Sequence, residues 1–175
     1  MRVAVLTSSR ADYGIYLPLL KKLREDHFFE LDIIAFGTHL SKKFGNTVDQ
    51  ITNDGFTVNY LIDTLPAGDR ASDISESMGK TMIAFAPIWK ELSGKVDLVF
   101  CLGDRYEMFA AVASSAPFNI RVAHIHGGET TLGAIDEKFR HSLTSMSNYH
   151  FVSTETYAER VKGIIGKADH VYTVG

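Results

Sequence analysis

The sequence predicts an α/β fold: a doubly wound, Rossmann-like parallel sheet with helices on both faces. Three observations lead there. Short, almost uninterrupted apolar runs recur along the chain, the pattern of strands buried on both faces. Stretches with helical apolar spacing separate them, so strand and helix alternate. The 175 residues are 45% hydrophobic and 22% charged, enough for one domain with a full core.

RVAVLT (2–7) is the first strand, followed by a helix over 13–26. ELDIIAF (30–36) is the second, with a helix over 43–54, and TVNYLI (57–62) the third. A long helix over 70–92 carries Ile74, Met78, Met82, Phe85, Trp89 and Leu92 as its apolar stripe. Pro87 is expected to kink or divide it, and Gly94 to end it. DLVFCL (97–102) then leads to a helix over 105–116, and IRVAHI (120–125) to one over 135–147. In that last helix Phe139, Leu143 and Met146 make the buried stripe, with Glu137, Arg140, His141 and Thr144 fanning to the polar side. YHFVS (149–153), a helix over 155–164 and HVYTV (170–174) complete the pattern.

Composition narrows the function classes. A net charge of −3 provides no basic footprint for nucleic acid. The single Cys101 rules out a disulfide framework within one chain and fits a reducing compartment. No apolar run has the length of a membrane span, and the start MRVAVLTSS lacks the layout of a signal peptide, so a cytoplasmic protein is expected.

In doubly wound sheets ligands sit beyond the carboxyl ends of the strands, so chemistry is sought just after each one. TSSRADYG (7–14) follows strand one; its backbone N–H groups and Arg10 suit a phosphate, and Ser9 or Asp12 suits a helix cap. It contains neither GxGxxG nor GxxxxGK[ST], so neither a dinucleotide nor a P-loop fingerprint is present. FGTHLSKKFGNT (36–47) brings His39 after the second strand, and LPAGDRASDISES (65–77) reads as a solvated connection. CLGDRYEMFAA (101–111) places Asp104 at a strand end, as a cap or as a cleft residue beside Arg105 and Glu107.

The densest stretch is HIHGGETTLGAIDEKFRH (124–141). His124 and His126 face one side if the strand continues through them, while Gly127 and Gly128 break it. The pairs Asp136–Arg140 and Glu137–His141 stand at helical contact spacing. Zinc would want three or four converging ligands, and no HExxH or CxxC spacing is present. Acid/base chemistry fits better: Asp104, Glu129, Asp136 and the two strand-five histidines, His124 and His126, project from the productive edge, and Arg10, Arg105 and Arg140 add charge for an anionic substrate.

In this order and spacing, TSSRADYG, FGTHLSKKFGNT, GDRYE, HIHGGETTLGAIDEKFRHSLT and YHFVSTETYAERV resemble the hydrolysing UDP-N-acetylglucosamine 2-epimerases, in their sialic-acid and legionaminic-acid branch. The resemblance implies one half of a GT-B fold: 1–175 as the first Rossmann-like domain, with a second domain supplying most nucleotide contacts. It implies release of UDP with inversion at C2 of UDP-N-acetylglucosamine or a UDP-diacetamido sugar, through elimination and hydration. No cofactor is expected, since no hydride moves.

By the same resemblance Asp104, Asp136 and either His126 or Glu129 do proton transfer. Many members carry glutamate where His126 stands, which leaves that choice open. Arg10, His39, Arg105, Arg140 and His141 are expected to bind substrate, and a homodimer through this domain is expected. Two other classes compete: a stand-alone domain that binds a nucleotide sugar or a partner without turnover, and a metal-dependent hydrolase on the strand-five histidines.

Overall fold

The computed structural model describes residues 1–41, 45–66, 68–130 and 135–175. Parts of the stretches 36–47, 65–77 and 124–141, and the start of the helix expected over 43–54, lie outside these residues. Among the described residues the strands are β1 (Arg2–Thr7), β2 (Glu30–Phe36), β3 (Tyr60–Ile62), β4 (Leu98–Leu102), β5 (Val122–Ile125), β6 (Tyr149–Val152) and β7 (Val171–Thr173). The helices are α1 (Arg10–Glu25), α2 (Val48–Asn53), α3 (Ala71–Leu92), α4 (Tyr106–Ser115), α5 (Asp136–Met146) and α6 (Glu155–Ile165).

All seven strands pair in parallel, in the order β3-β2-β1-β4-β5-β6-β7. The chain leaves β1 towards one edge and β4 towards the other, which opens a crevice above their carboxyl ends. Two apolar layers flank the sheet. Tyr13, Tyr16 and Leu20 of α1 and Ile51 of α2 pack on Val3, Val5, Ile33 and Ala35. On the other face Phe85, Trp89 and Leu92 of α3, Met108 of α4 and Leu143 of α5 pack on Ala4, Leu6, Ile34, Val99 and Cys101. Beyond the first layer, Leu98, Tyr149, Phe151 and Tyr172 line an open groove, with Tyr172 45% exposed.

Strand starts are set by side chains. Asn59, Asp97 and Asn148 each precede a strand, and each accepts a backbone N–H from the neighbouring one: Ile33 at 2.9 Å, Arg2 at 2.7 Å and Val122 at 3.0 Å. β3 therefore begins at Tyr60, later than the expected residue 57, and β5 begins at Val122. Helix α1 begins earlier than expected, because Ser9 caps it and accepts the Asp12 N–H at 3.2 Å.

Helix α3 corrects two expectations. Pro87 does not divide it; the carbonyl that loses its partner belongs to Ile83, which is 76% exposed, so water can satisfy it. The buried stripe of its first half is Asp73, Ser77 and Thr81, not Ile74, Met78 and Met82. Ser77 donates to the Thr64 carbonyl at 2.6 Å and Thr81 to the Ser77 carbonyl at 2.8 Å, so this half packs through hydroxyls. Consequently 71–77 is helix, not connection. Gly94, at φ +72°, follows the last turn as expected.

Candidate functional site

The carboxyl ends of β4, β5 and β6 bring a charged cluster together. Gly103, at φ +75°, turns the chain out of β4 and presents Asp104. Strand β5 stops at Ile125, because His126 adopts φ +65°, a left-handed conformation that is costly for a residue with a Cβ. Glu129 follows, and Ser153 stands just after β6.

Arg140 ties these pieces. It projects from the buried side of α5 and forms an ion pair with Asp104. Its Nη1 also donates to the His126 carbonyl at 2.9 Å and to Glu129 Oε2 at 3.3 Å. Glu129 Oε1 accepts the Ser153 hydroxyl at 3.2 Å and lies 3.0 Å from His126 Nδ1. The His126 side chain remains 35% exposed. One guanidinium thus holds two carboxylates from two different loops, beside a histidine that still meets solvent.

Several expectations are corrected here. Arg140 and Thr144 are buried rather than on the polar side of α5, since that helix turns them onto the ends of β4 and β5. Arg140 pairs with Asp104 and Glu129, while the Asp136 side chain makes no ion pair with Arg140. Glu137 and His141 likewise form no pair with each other. His124 and His126 do not face one side. His124 is fully buried, and its Nε2 donates to the Gly103 carbonyl at 2.8 Å, so Nδ1 accepts from Thr144 Oγ1 at 3.2 Å. Burial lowers its pKa to about 3, so it is a neutral structural bridge between β4 and α5. Both nitrogens being taken, it is no ligand for a metal, and no three His, Cys, Asp or Glu among the described residues form a metal group.

The paired glycines serve packing. A Cβ on Gly127 would lie 3.1 Å from His124 Nδ1. One on Gly128, at φ +77°, would lie 2.6 Å from the Tyr157 carbonyl oxygen of α6. Arg160 of α6 donates to the Gly128 carbonyl at 2.8 Å and fixes the turn from the other side.

A second group occupies the crevice between β1 and β4. Asp12 accepts the Ser8 N–H at 2.9 Å and the Ser8 hydroxyl at 2.7 Å. His39 is buried, with Nε2 2.8 Å from Thr7 Oγ1 and Nδ1 2.9 Å from Thr47 Oγ1; burial lowers its pKa. Arg10 is exposed at the start of α1 and borders a polar hollow with Asn46, Thr47 and Gln50. Arg105 is half-buried and paired with Glu107 at 2.6 Å. Asp136 and His141 are half-buried on the first turns of α5, and His141 Nε2 has no hydrogen-bond partner among the described residues.

Sequence reasoning missed two contributors and the burial of a third. Ser153 looks like any polar residue after a strand, and Arg160 like any exposed helical charge. Glu107 looks like an ordinary acid in a first helical turn, yet it is buried, and burial raises its pKa.

Comparison with known proteins agrees with this fold. A family model described as UDP-N-acetylglucosamine 2-epimerase matches residues 21–175. The chain is 35% identical, over 99% of its length, to the UDP-N,N'-diacetylbacillosamine 2-epimerase (hydrolyzing) of Legionella pneumophila, covering 45% of that protein. It is 37% identical to polysialic acid biosynthesis protein P7 of Escherichia coli, covering 99% of this chain and 44% of that one. A crystal structure of UDP-GlcNAc 2-epimerase from Neisseria meningitidis bound to UDP-GlcNAc superposes with a TM-score of 0.85 over 100% of this chain and 46% of that one, at 19% identity. That likeness concerns the fold, which is the Rossmann-like half of a GT-B arrangement. The chain spans somewhat under half the length of the relatives it matches.

Proposed function

Since the chain belongs to the UDP-N-acetylglucosamine 2-epimerase family, we propose that it forms one wall of a hydrolysing epimerase site. The substrate would be UDP-N-acetylglucosamine or a UDP-diacetamido sugar, with a second domain supplying the facing wall. In the first step the C2–H and C1–O(UDP) bonds break and a C1=C2 double bond forms. In the second, water adds its oxygen to C1 and a proton reaches C2 from the opposite face. Neither step moves a hydride, so no cofactor is involved.

The observation that carries this reading is the Arg140 cluster: Asp104, Glu129 and His126 gathered at the carboxyl edge of a parallel sheet. Glu129 is engaged by Ser153, Arg140 and His126, whereas His126 is partly open to solvent. Glu129 therefore orients the ring through Nδ1, and His126 Nε2 exchanges the C2 proton. Asp104, held by Arg140, and Asp136, at the first turn of α5, serve as further acid/base groups. Arg10, Arg105 and His141 line the approach of the anionic substrate, and the buried His39 and Arg140 belong to the same proposed binding group. The reading includes a homodimer formed through this domain, supported by the open apolar groove beside Phe151 and Tyr172.

The test is UDP release in heavy water by this chain joined to a second domain. The expected result is UDP plus a 2-epimeric free sugar carrying one deuterium at C2. Release without C2 deuterium would indicate plain hydrolysis and exclude the elimination. Calorimetry showing UDP-sugar binding with no release would favour a binding domain instead.

A further inference from the structure

Glu107 stands in the first turn of α4, where an exposed glutamate would serve the helix dipole equally well. Its side chain is instead only 3% exposed. The carboxylate sits where β1, β2 and β4 end: a Cβ on Gly37 would lie 3.5 Å from Glu107 Cγ and 2.9 Å from the Ser8 carbonyl oxygen. Taking a carboxylate out of water costs several kcal/mol unless it is well paired. The pairing is one-sided. Glu107 Oε1 receives Arg105 Nε at 2.6 Å and lies 2.6 Å from Nη2, while the buried Oε2 has no hydrogen-bond partner among the described residues.

Arg105 is the other half of the arrangement. Its side chain is 41% exposed, and it lies within electrostatic reach of Asp12 as well as Glu107, which places it over the crevice between β1 and β4. A guanidinium has five N–H donors, and Glu107 engages only its Nε side. The remaining donors point away from the buried carboxylate. A free arginine at a crevice mouth would sample many rotamers and lose that freedom on binding. A buried, immobile carboxylate removes that loss in advance.

We propose that Glu107 is a positioning residue, which holds Arg105 at the mouth of the β1/β4 crevice so that its outer N–H groups meet a phosphate oxygen of the substrate. The identity of that substrate rests on the UDP-sugar reading above; the arrangement itself calls only for an oxyanion.

The test is a double-mutant cycle on the enzyme carrying this domain, read as UDP-release kinetics and as calorimetric titration with inorganic pyrophosphate. Glu107→Gln should raise KM about tenfold with kcat changed less than twofold. Arg105→Met should do the same, and the double variant should be no worse than Arg105→Met alone, because Glu107 acts only through Arg105. Additive losses, or a fall in kcat at constant KM, would overturn the proposal. If the wild type releases no UDP, the function reading fails by itself, and the pyrophosphate cycle still decides the role of Glu107. No pyrophosphate binding by wild type, or binding unchanged in Arg105→Met, refutes it. Should Glu107→Gln not fold, Glu107→Asp keeps the charge but shortens the reach, and is expected to show the same rise in KM.

Discussion

At the residue scale the site depends on what Arg140 holds. It joins a loop after β4 to a loop after β5, so its loss leaves Asp104 and Glu129 without the group that sets their spacing. Arg140→Met is expected to lower kcat/KM by about a hundredfold, since small misplacements of catalytic groups have effects of that size. Both carboxylates keep some access to water, so the stability loss should be modest, roughly 1–3 kcal/mol in urea unfolding. Near-normal turnover in Arg140→Met would remove the cluster from the mechanism. His150 makes a different prediction. It is fully buried, its ring nitrogens have no hydrogen-bond partner among the described residues, and burial lowers its pKa to about 4. Between pH 6.5 and about 4 the unfolded chain binds a proton at this position that the native chain does not. The stability it contributes is therefore present above pH 6.5 and lost as pH falls towards 4, at up to about 1.4 kcal/mol per pH unit. His150→Leu should unfold no more easily than wild type at pH 7 and should show a shallower acid limb. An unchanged limb would mean that the folded ring titrates normally.

At the element scale the decisive contact is between the turn after β5 and helix α6. Gly128 combines a left-handed φ of +77° with the carbonyl of Tyr157 2.6 Å from where a Cβ would stand. Gly128→Ala should cost roughly 2–4 kcal/mol from strain and overpacking together. In urea it should lower the midpoint at constant m. Because the same turn carries His126 and Glu129, activity should fall further than stability alone predicts. A variant with wild-type midpoint would show that α6 yields at no cost. The elements themselves were largely readable from the chain: apolar runs became strands, and Ser9 and Gly94 began and ended helices. The first half of α3 was misread because it packs through Ser77 and Thr81, and hydropathy cannot see a hydroxyl satisfied by a neighbouring carbonyl.

At the scale of the whole molecule, helices past the β1/β4 switch pack on one face, and an aromatic row runs along the other. Phe100 and Phe151 stand 5.9 Å apart, and Phe151 and Tyr172 5.4 Å, ring to ring. The proposed homodimer predicts concentration-dependent sedimentation of the 175-residue chain. Tyr172→Glu should shift it towards monomer, and one monomeric species at every concentration would count against dimerisation through this face.

The sequence by itself determined the order of strands and helices and the edge of the sheet where polar residues gather. Both follow from local hydrophobic periodicity and from turn residues whose preferences act over a few positions. It also carried the motifs by which the family is recognised. Only the tertiary structure decided which of the gathered residues touch. A helical wheel places Arg140 beside Asp136, yet helix packing turns it onto Asp104 and Glu129; alternation pairs His124 with His126, yet one left-handed backbone angle separates them. Such choices depend on how elements distant in sequence lie against one another, and no local pattern encodes that.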